Sequence, residues 1–193
     1  MFFNNNFIYH KKQCLPKTLC TSIIDFFDEN PNKQKGCVYS GINDLNVNSE
    51  VKDSIDLSIN FNKNQESCIF NLHHYLCNEI NFYRKKYSFL DDLENWKLNE
   101  TFNIRKYYPN QAFKKLHCEH GPGDCSLRIL AWMFYLNDVH SDGETYFPYQ
   151  NKKFKPRQGY LLIWPAFWTH PHKGIPSKKD IKYIATGWVS FSH

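Results

Sequence analysis

Hydrophobic positions in the N-terminal half of the chain recur at helical spacing in two segments. Residues 16–29 predict an amphipathic helix that starts near Pro16, a residue suited to a first helical position, and ends before Asn30–Pro31. Residues 66–87 predict a longer helix with one apolar stripe, and a stripe of that width predicts packing against a flat surface. The stripe consists of Ile69, Leu72, Leu76, Ile80, Tyr83 and Tyr87. A shorter helical segment is predicted over Leu90–Trp96.

After Thr101 the pattern changes to a period of two, which is typical of β-strands. Turn signals rich in Pro, Gly, Asn and Asp separate the strand-like runs. The runs are Phe102–Tyr108, Leu127–Asn137, Thr145–Phe147, Gly159–Trp164 and Ile181–Phe191. Several strands joined by long connections predict a mostly β fold with flanking helices, a double-stranded β-helix of the jelly-roll or cupin-like type. The N-terminal helices would pack on one outer face of a sheet.

Length and composition fit one globular domain. The 193 residues are 41% hydrophobic and 22% charged, which argues against wholesale disorder, and the 17% of aromatic residues favours strands and sheet-packed cores. We therefore expect a single domain over residues 1–193, in which residues 1–100 form a helical support region and residues 101–193 form the jelly-roll core. The sixteen Asn residues among residues 1–100 are typical of an AT-rich coding genome, such as that of a virus.

The charge and cysteine patterns indicate which binding partners and which cellular compartment to expect. The net charge of +5 comes from lysines scattered along the chain, which disfavours a dedicated nucleic-acid surface. The chain has no run of about 18 apolar residues that would predict a membrane span, and its first ten residues lack the apolar core of a signal peptide. Seven cysteines without CxxC spacing fit reduced thiols. We therefore expect a cytoplasmic protein with no membrane partner.

The strongest chemical pattern is His117-Cys118-Glu119. On an extended chain, side chains two residues apart point the same way, so His117 and Glu119 can converge on one metal ion. A second histidine would complete the 2-His-1-carboxylate arrangement that leaves open positions on Fe(II). His170 and His172 are both candidates for it, and the residues alone leave that choice open. The His-x-Glu pattern is weak by itself, because such pairs also occur as ordinary structural residues.

The segment from about Asn103 to Phe191 resembles the catalytic core of the prolyl 4-hydroxylase-type Fe(II)/2-oxoglutarate-dependent oxygenases. Five motifs occur in the order found in that family, and ordered agreement of this extent is not expected by chance. They are Tyr108-Pro109 before His117-Cys118-Glu119, the strand end Tyr135-Leu136-Asn137, the turn Asp142-Gly143-Glu144-Thr145-Tyr146-Phe147, the turn Pro156–Gly159 leading into Leu161-Leu162-Ile163-Trp164-Pro165, and the distal set His172, Pro176, Lys182 and Trp188.

The resemblance implies a ligand set. His172 is followed by Pro at the fourth position and Lys at the tenth, so the resemblance selects His172 over His170. It implies that His117, Glu119 and His172 hold Fe(II) and form the catalytic centre. The family usually has Asp where this chain has Glu119, a side chain that is one methylene longer. The turn Asp142-Gly143 likewise replaces a Gly-Gly pair.

The resemblance also implies a cosubstrate site. Lys182 would pair with the distal carboxylate of 2-oxoglutarate, and Tyr135 or Tyr108 would donate a hydrogen bond to the same group. Three further residues are expected beside the metal centre or on the substrate side, namely Trp188, Arg128 and His170. O2, and ascorbate as a reductant, complete the implied set of reactants.

The activity implied by the resemblance is hydroxylation of an aliphatic C–H bond, foremost that of a prolyl residue in a peptide or protein. Such an Fe(II)- and 2-oxoglutarate-dependent oxygenase would consume O2 and release succinate and CO2. A small-molecule substrate is also compatible with the sequence. Two alternatives stay open: a cupin-like module that binds metal without turnover, and a nucleic-acid oxygenase. The second would be expected to carry paired arginines after the distal histidine, which this chain lacks.

Overall fold

The structure is a computed structural model that describes residues 6–39, 44–93 and 95–192. Within these ranges the helices are α1 (Lys17–Glu29) and α2 (Ser67–Lys86), with short 3₁₀ turns at Ser88–Asp91 and Gly123–Cys125. The strands within them are β1 (Tyr9–Lys11), β2 (Gln34–Lys35), β3 (Val38–Tyr39), β4 (Leu45–Asn46), β5 (Ile55–Asn60), β6 (Trp96–Leu98), β7 (Thr101–Tyr107), β8 (Arg128–Tyr135), β9 (Thr145–Phe147), β10 (Lys152–Phe154), β11 (Leu161–Pro165), β12 (Lys173–Gly174) and β13 (Lys182–Phe191). In this described part of the chain, no helix is both long and apolar enough to cross a lipid bilayer.

Most of the described strands belong to one large antiparallel sheet. Its order is β1-β11-β8-β13-β7-β5-β2, and β6 pairs with the end of β13. A smaller sheet has the order β10-β9-β12, and β3 and β4 form a separate hairpin. Neighbours such as β8 and β13 are far apart in sequence, so the chain crosses between strands as it does in jelly rolls. The predicted mostly β fold with flanking helices is confirmed.

Alternation along the strands divides the core into two layers. On β8, Trp132 and Phe134 pack in the layer shared with the helices, whereas Met133 and Tyr135 lie in the layer shared with the smaller sheet. The apolar stripe of α2 is buried in the first layer, which confirms the predicted packing of the helix on a sheet. The second layer contains the polar cavity described below.

The helical segment predicted at Leu90–Trp96 is wrong. A 3₁₀ turn ends at Asp91, and β6 begins at Trp96, which pairs with Phe191 at the end of β13. The Trp96 indole donates a hydrogen bond to the Leu90 carbonyl at 2.8 Å. Pairing with a distant strand satisfies backbone groups and outweighs the weak local helix preference.

Strand β13 crosses β8 closely at Gly187. A Cβ atom at this position would lie 2.7 Å from a ring carbon of Trp132 and 3.0 Å from Cβ of Phe102. Trp132 is fully buried, so it has no free space into which to move. The absence of a side chain at Gly187 therefore allows β13, the strand that carries Lys182 and Trp188, to lie close to β8.

Candidate active site

Two distant segments carry His117 and His172 and are joined by their main chains. The His117 amide donates to the His172 carbonyl at 3.0 Å, and the His172 amide donates to the His117 carbonyl at 2.8 Å. The amide of Glu119 donates to the Ala166 carbonyl at 3.0 Å, next to the end of β11. These backbone contacts fix the positions from which the three side chains start.

The side chains of His117, Glu119 and His172 place three potential ligand atoms within 4.8 Å of one another. Glu119 Oε1 lies 3.5 Å from His117 Nε2 and 3.4 Å from His172 Nε2. The Nδ1 atoms of the two rings lie 2.9 Å and 3.1 Å from the carbonyls of Lys115 and His170, so each Nδ1 carries the donated proton. Both Nε2 atoms then have a free lone pair, and the donor set fits a 2-His-1-carboxylate metal site.

The local electrostatics favour the protonation state that binds a metal. Burial alone would raise the pKa of the Glu119 carboxyl, but the adjacent His117 and His172 rings outweigh burial and hold that pKa well below its usual value. Burial, and then the neighbouring His172, lower the pKa of His117. At neutral pH the site therefore contains a carboxylate and a neutral His117 imidazole, the forms that coordinate metal ions.

Trp188 and Arg128 lie behind Glu119. The Trp188 indole donates to Glu119 Oε2 at 2.8 Å, and Arg128 Nη1 lies 3.6 Å from the same oxygen. The Arg128 guanidinium also stacks on the Trp188 ring, 3.7 Å from its centroid. Together they hold Oε2, so that Oε1 is the oxygen that faces the two histidines. Both residues were expected beside the metal centre or on the substrate side, and the structure puts them against the carboxylate.

Aromatic rings enclose the two histidines, and the sequence did not predict these contacts. Phe113 stacks on His117 with 3.6 Å between ring centroids and an interplanar angle of 11°. Phe147 and Trp164 contact His172, with centroid distances of 5.2 Å and 5.0 Å. The only sequence signal for Phe113 was its position four residues before His117. These rings limit the rotation of both imidazoles and keep water from their faces.

Lys182 lies in the same cavity as the three candidate ligands. Tyr107 is part of the wall of this cavity. Lys182 is only 4% exposed, and its Nζ donates to the Gly143 carbonyl at 3.0 Å and lies 5.0 Å from the Tyr107 ring centroid. Burial lowers the pKa of Lys182 to about 8, although the Glu144 carboxylate opposes this change. A buried ammonium with so few anionic neighbours suits an anionic ligand.

The structure does not bring either predicted tyrosine to this cavity. Tyr108 is 43% exposed, and Tyr107 faces the cavity instead, opposite Lys182 in the β7–β13 register. Successive side chains on a strand point to opposite faces, so choosing the wrong one of two adjacent tyrosines reverses the direction. Tyr135 is buried, but its hydroxyl donates to Thr145 Oγ1 at 2.7 Å and it is not part of the cavity wall.

His170 does not line the cavity, although it was expected beside the metal centre or on the substrate side. It is only 4% exposed, with Nε2 2.8 Å from the Asn6 carbonyl and Nδ1 2.9 Å from the Thr169 hydroxyl. Its carbonyl accepts the Nδ1 hydrogen bond of His172. His170 therefore supports His172 from behind, because its ring is anchored to the N-terminal segment.

Comparison with known proteins agrees with this geometry. Residues 102–190 match the model of the 2OG-Fe(II) oxygenase superfamily. The resemblance to prolyl 4-hydroxylase-type oxygenases is confirmed. A putative prolyl 4-hydroxylase of Acanthamoeba polyphaga mimivirus is 36% identical over 106 residues, which are 46% of this chain and 44% of that relative. The chain thus spans less than half the length of that curated relative.

Solved structures show the same fold at low sequence identity. A viral collagen prolyl hydroxylase of Paramecium Bursaria Chlorella virus-1, in complex with 2OG, has a TM-score of 0.70 at 16% identity, covering 96% of this chain and 97% of that chain. A prolyl hydroxylase in complex with a hypoxia inducible factor oxygen degradation domain peptide fragment from Trichoplax adhaerens has a TM-score of 0.72 at 16% identity, covering 97% and 84%. The predicted double-stranded β-helix is thereby confirmed.

Proposed function

We propose that the chain is an Fe(II)- and 2-oxoglutarate-dependent oxygenase that hydroxylates an aliphatic C–H bond of a prolyl residue in a peptide or protein. The observation that carries the proposal is the convergence of His117, Glu119 and His172 in one cavity with a buried Lys182. The reaction would consume O2 and 2-oxoglutarate and release succinate and CO2, with ascorbate as a reductant. Residues 1–100 would support this catalytic core within a single domain, and the protein would act in the cytoplasm.

His117, Glu119 and His172 would hold the ferrous ion. In oxygenases of this family, the ion with 2-oxoglutarate supplies the centre that activates O2 for attack on a C–H bond. The chain contributes a fixed set of donor atoms on one side. Its main-chain pairing positions His117 and His172, and the indole of Trp188 orients the carboxylate of Glu119.

Lys182 and Tyr107 would bind the distal carboxylate of 2-oxoglutarate. The ammonium group of Lys182 would supply a charge-assisted hydrogen bond in a site that excludes water. Tyr107 lies beside it, and burial raises the pKa of its phenol to about 12 against the opposing charge of Arg105. The phenol therefore stays protonated and can donate a hydrogen bond to a carboxylate. In this proposal Tyr107 donates the hydrogen bond to the distal carboxylate that the resemblance implies for Tyr135 or Tyr108.

A prolyl peptide is the best-supported substrate. The curated relative from the mimivirus carries the name prolyl 4-hydroxylase, and the Trichoplax structure contains a peptide fragment. Aromatic walls formed by Phe113 and Trp164 would keep the reaction site dry while a peptide occupies the opening. The two alternatives, a metal-binding module without turnover and a nucleic-acid oxygenase, serve as outcomes of the test below.

The decisive experiment measures succinate. Purified protein with Fe(II), ascorbate, 2-oxoglutarate and prolyl peptides should form succinate and add one oxygen atom to the peptide, as detected by mass spectrometry. His172→Ala should abolish both products. The control His74→Ala removes an exposed histidine from α2 and should leave both unchanged. Metal binding without 2-oxoglutarate binding would favour the cupin-like module, and steeply salt-dependent DNA binding would favour the nucleic-acid oxygenase.

A further inference from the structure

A second cluster of buried charges lies against the cavity, formed by Lys52, Asp56 and Arg105. Lys52 Nζ lies 2.5 Å from Asp56 Oδ2, and the Ser54 hydroxyl donates to Asp56 Oδ1 at 2.7 Å. Arg105 Nε lies 3.3 Å from Asp56 Oδ2. The side chain of Lys52 is 3% exposed, that of Asp56 9% and that of Arg105 13%. Of these three charged residues, Arg105 is the one that forms part of the cavity wall.

The sheet register separates Arg105 from Lys182. On β7, Arg105 pairs with Asp56 of β5 on one side and with the apolar Ile184 of β13 on the other. Tyr107 pairs with Lys182 two residues further along. Asp56 Oδ2 of β5 lies 3.3 Å from Arg105 Nε. Arg105 also shares a side-chain hydrogen bond with Tyr107, whose ring contacts Lys182. The cavity wall therefore contains two cationic groups, Arg105 and Lys182, with Tyr107 in contact with both.

The cluster contains more positive charge than its own carboxylate can neutralise. Asp56 already accepts short hydrogen bonds from Lys52 and Ser54. In the part of the chain that the structure describes, the buried Nε of Arg105 has a nearby charge but no hydrogen-bond partner. Burial, and then the charge of Arg105, lower the pKa of Lys52 to about 8. The Glu119 carboxylate also acts on Lys52 and Arg105, but as a proposed metal ligand its charge would be engaged by the metal, so this cluster can take up one further anionic group.

We infer that Arg105 forms a second carboxylate-binding subsite of the cavity, separate from Lys182. This inference rests on the proposed function. A guanidinium presents its donors in a rigid fork that matches a carboxylate, and Asp56 fixes the orientation of that fork. The carboxylate comes either from the keto-acid end of 2-oxoglutarate or from an acidic side chain of the substrate peptide. Both sources share one chemistry, and the experiment has one arm for each.

The test uses calorimetry on protein loaded with Mn²⁺ in the absence of O2. One arm titrates 2-oxoglutarate, and the other titrates prolyl peptides that carry either Asp or Asn beside the proline. Arg105→Gln should weaken 2-oxoglutarate binding about ten- to a hundredfold if the keto acid is the source. If the peptide is the source, wild-type protein should prefer the Asp peptide, and Arg105→Gln should remove that preference. Arg105→Lys should recover only part of the affinity, because it lacks the fork.

A matched control lies on the next residue of the same strand. Lys106 has the same charge but points to the opposite face, where its Nζ lies 2.9 Å from Asp28 Oδ1. Lys106→Gln should leave both binding arms unchanged. The double variant Asp56→Asn/Arg105→Gln also leaves the buried Lys52 without its carboxylate, so thermal stability should fall further while carboxylate binding should stay lost.

Wild-type-like binding by Arg105→Gln in both arms would overturn the inference, and so would restoration of binding in the double variant. If the wild-type protein forms succinate in either case, the proposed function stands and only the subsite is lost. Failure of the wild-type protein to bind 2-oxoglutarate would instead overturn the proposed function, and this inference with it.

Discussion

At the residue scale, the orientation of the site's side chains is fixed by hydrogen bonds that exist before any ligand binds. Each candidate ligand has one atom held by the protein: Nδ1 of His117 and His172 by carbonyls, and Oε2 of Glu119 by Trp188. The atoms left over face one another. Neighbours of this kind orient metal ligands and raise their affinity in other metal sites.

Replacing Trp188 with Phe tests that orientation. The variant keeps an aromatic ring for Arg128 but removes the N–H that holds Glu119 Oε2. We expect metal affinity, measured with Mn²⁺, to fall about tenfold, with little change in the thermal midpoint. The control is Trp96→Phe on strand β6, which removes the indole hydrogen bond to the Leu90 carbonyl and should not change metal affinity. Equal losses in the two variants would contradict the orienting role of Trp188.

The pH dependence of cosubstrate binding tests Lys182. Its pKa is lowered to about 8 in the free protein, and a bound carboxylate would raise it. Affinity for 2-oxoglutarate should therefore be constant below pH 8 and fall as the pH rises above that value, by up to about tenfold per unit. Calorimetry at neutral to alkaline pH measures this decline. Lys182→Arg should abolish the decline, because arginine stays charged. A flat profile in the wild-type protein would argue against the pairing.

The ligand motif was predictable because it is short and ordered. His117 and Glu119 stand two residues apart, and His172 was selected by the Pro and Lys that follow it. The tyrosine proposed to bind the cosubstrate was not predictable, because two adjacent tyrosines leave open which ring faces the cavity. Only the register of Tyr107 against Lys182 shows which ring faces the cavity.

At the element scale, β13 is the strand that organises the molecule. It pairs with β8, β7 and β6 and carries the side chains of Lys182 and Trp188 toward the cavity side. Its close contact with β8 at Gly187 determines how near the strands approach. The period-two pattern predicted the strand itself, but nothing in the sequence around Trp96 predicted that β6 would pair with its end.

A methyl group at Gly187 should therefore be poorly tolerated. Gly187→Ala would force Trp132 to shift, and we expect a loss of about 1–3 kcal/mol in unfolding free energy, measured by urea denaturation. Gly121→Ala is the control, because a Cβ there meets no atom closer than 3.8 Å. Similar stability of the two variants would show that β13 can relax around the added methyl.

At the scale of the whole molecule, residues 6–11 contact elements from several distant parts of the chain. The Asn6 carbonyl contacts His170, the Tyr83 hydroxyl of α2 donates to the Phe7 carbonyl at 2.9 Å, and β1 pairs with β11. The Tyr9 hydroxyl donates to Glu79, a buried carboxylate on α2, at 2.6 Å. The N-terminal segment thus joins the helical layer to the sheet that carries the site. These contacts span the length of the chain, so no local pattern predicted them.

Removing the Tyr9 hydroxyl should weaken the attachment of the N-terminal segment to α2. Tyr9→Phe would deprive the buried Glu79 of one hydrogen-bond donor, and we expect a loss of about 1–3 kcal/mol in unfolding free energy. Chemical denaturation measures the change. Tyr39→Phe, at an exposed position on the β3–β4 hairpin, should be neutral. A neutral result for Tyr9→Phe would mean that water replaces the phenol at Glu79.

The main-chain pairing of His117 with His172 has a consequence for redesign. Amides and carbonyls make that link, so it persists whatever side chains the two positions carry. Cysteine or aspartate introduced at either position would project from the same anchored backbone toward the same point. Under the proposed function, donor atoms of another kind could therefore be placed at the metal site, with a different metal preference, without rebuilding the surrounding strands.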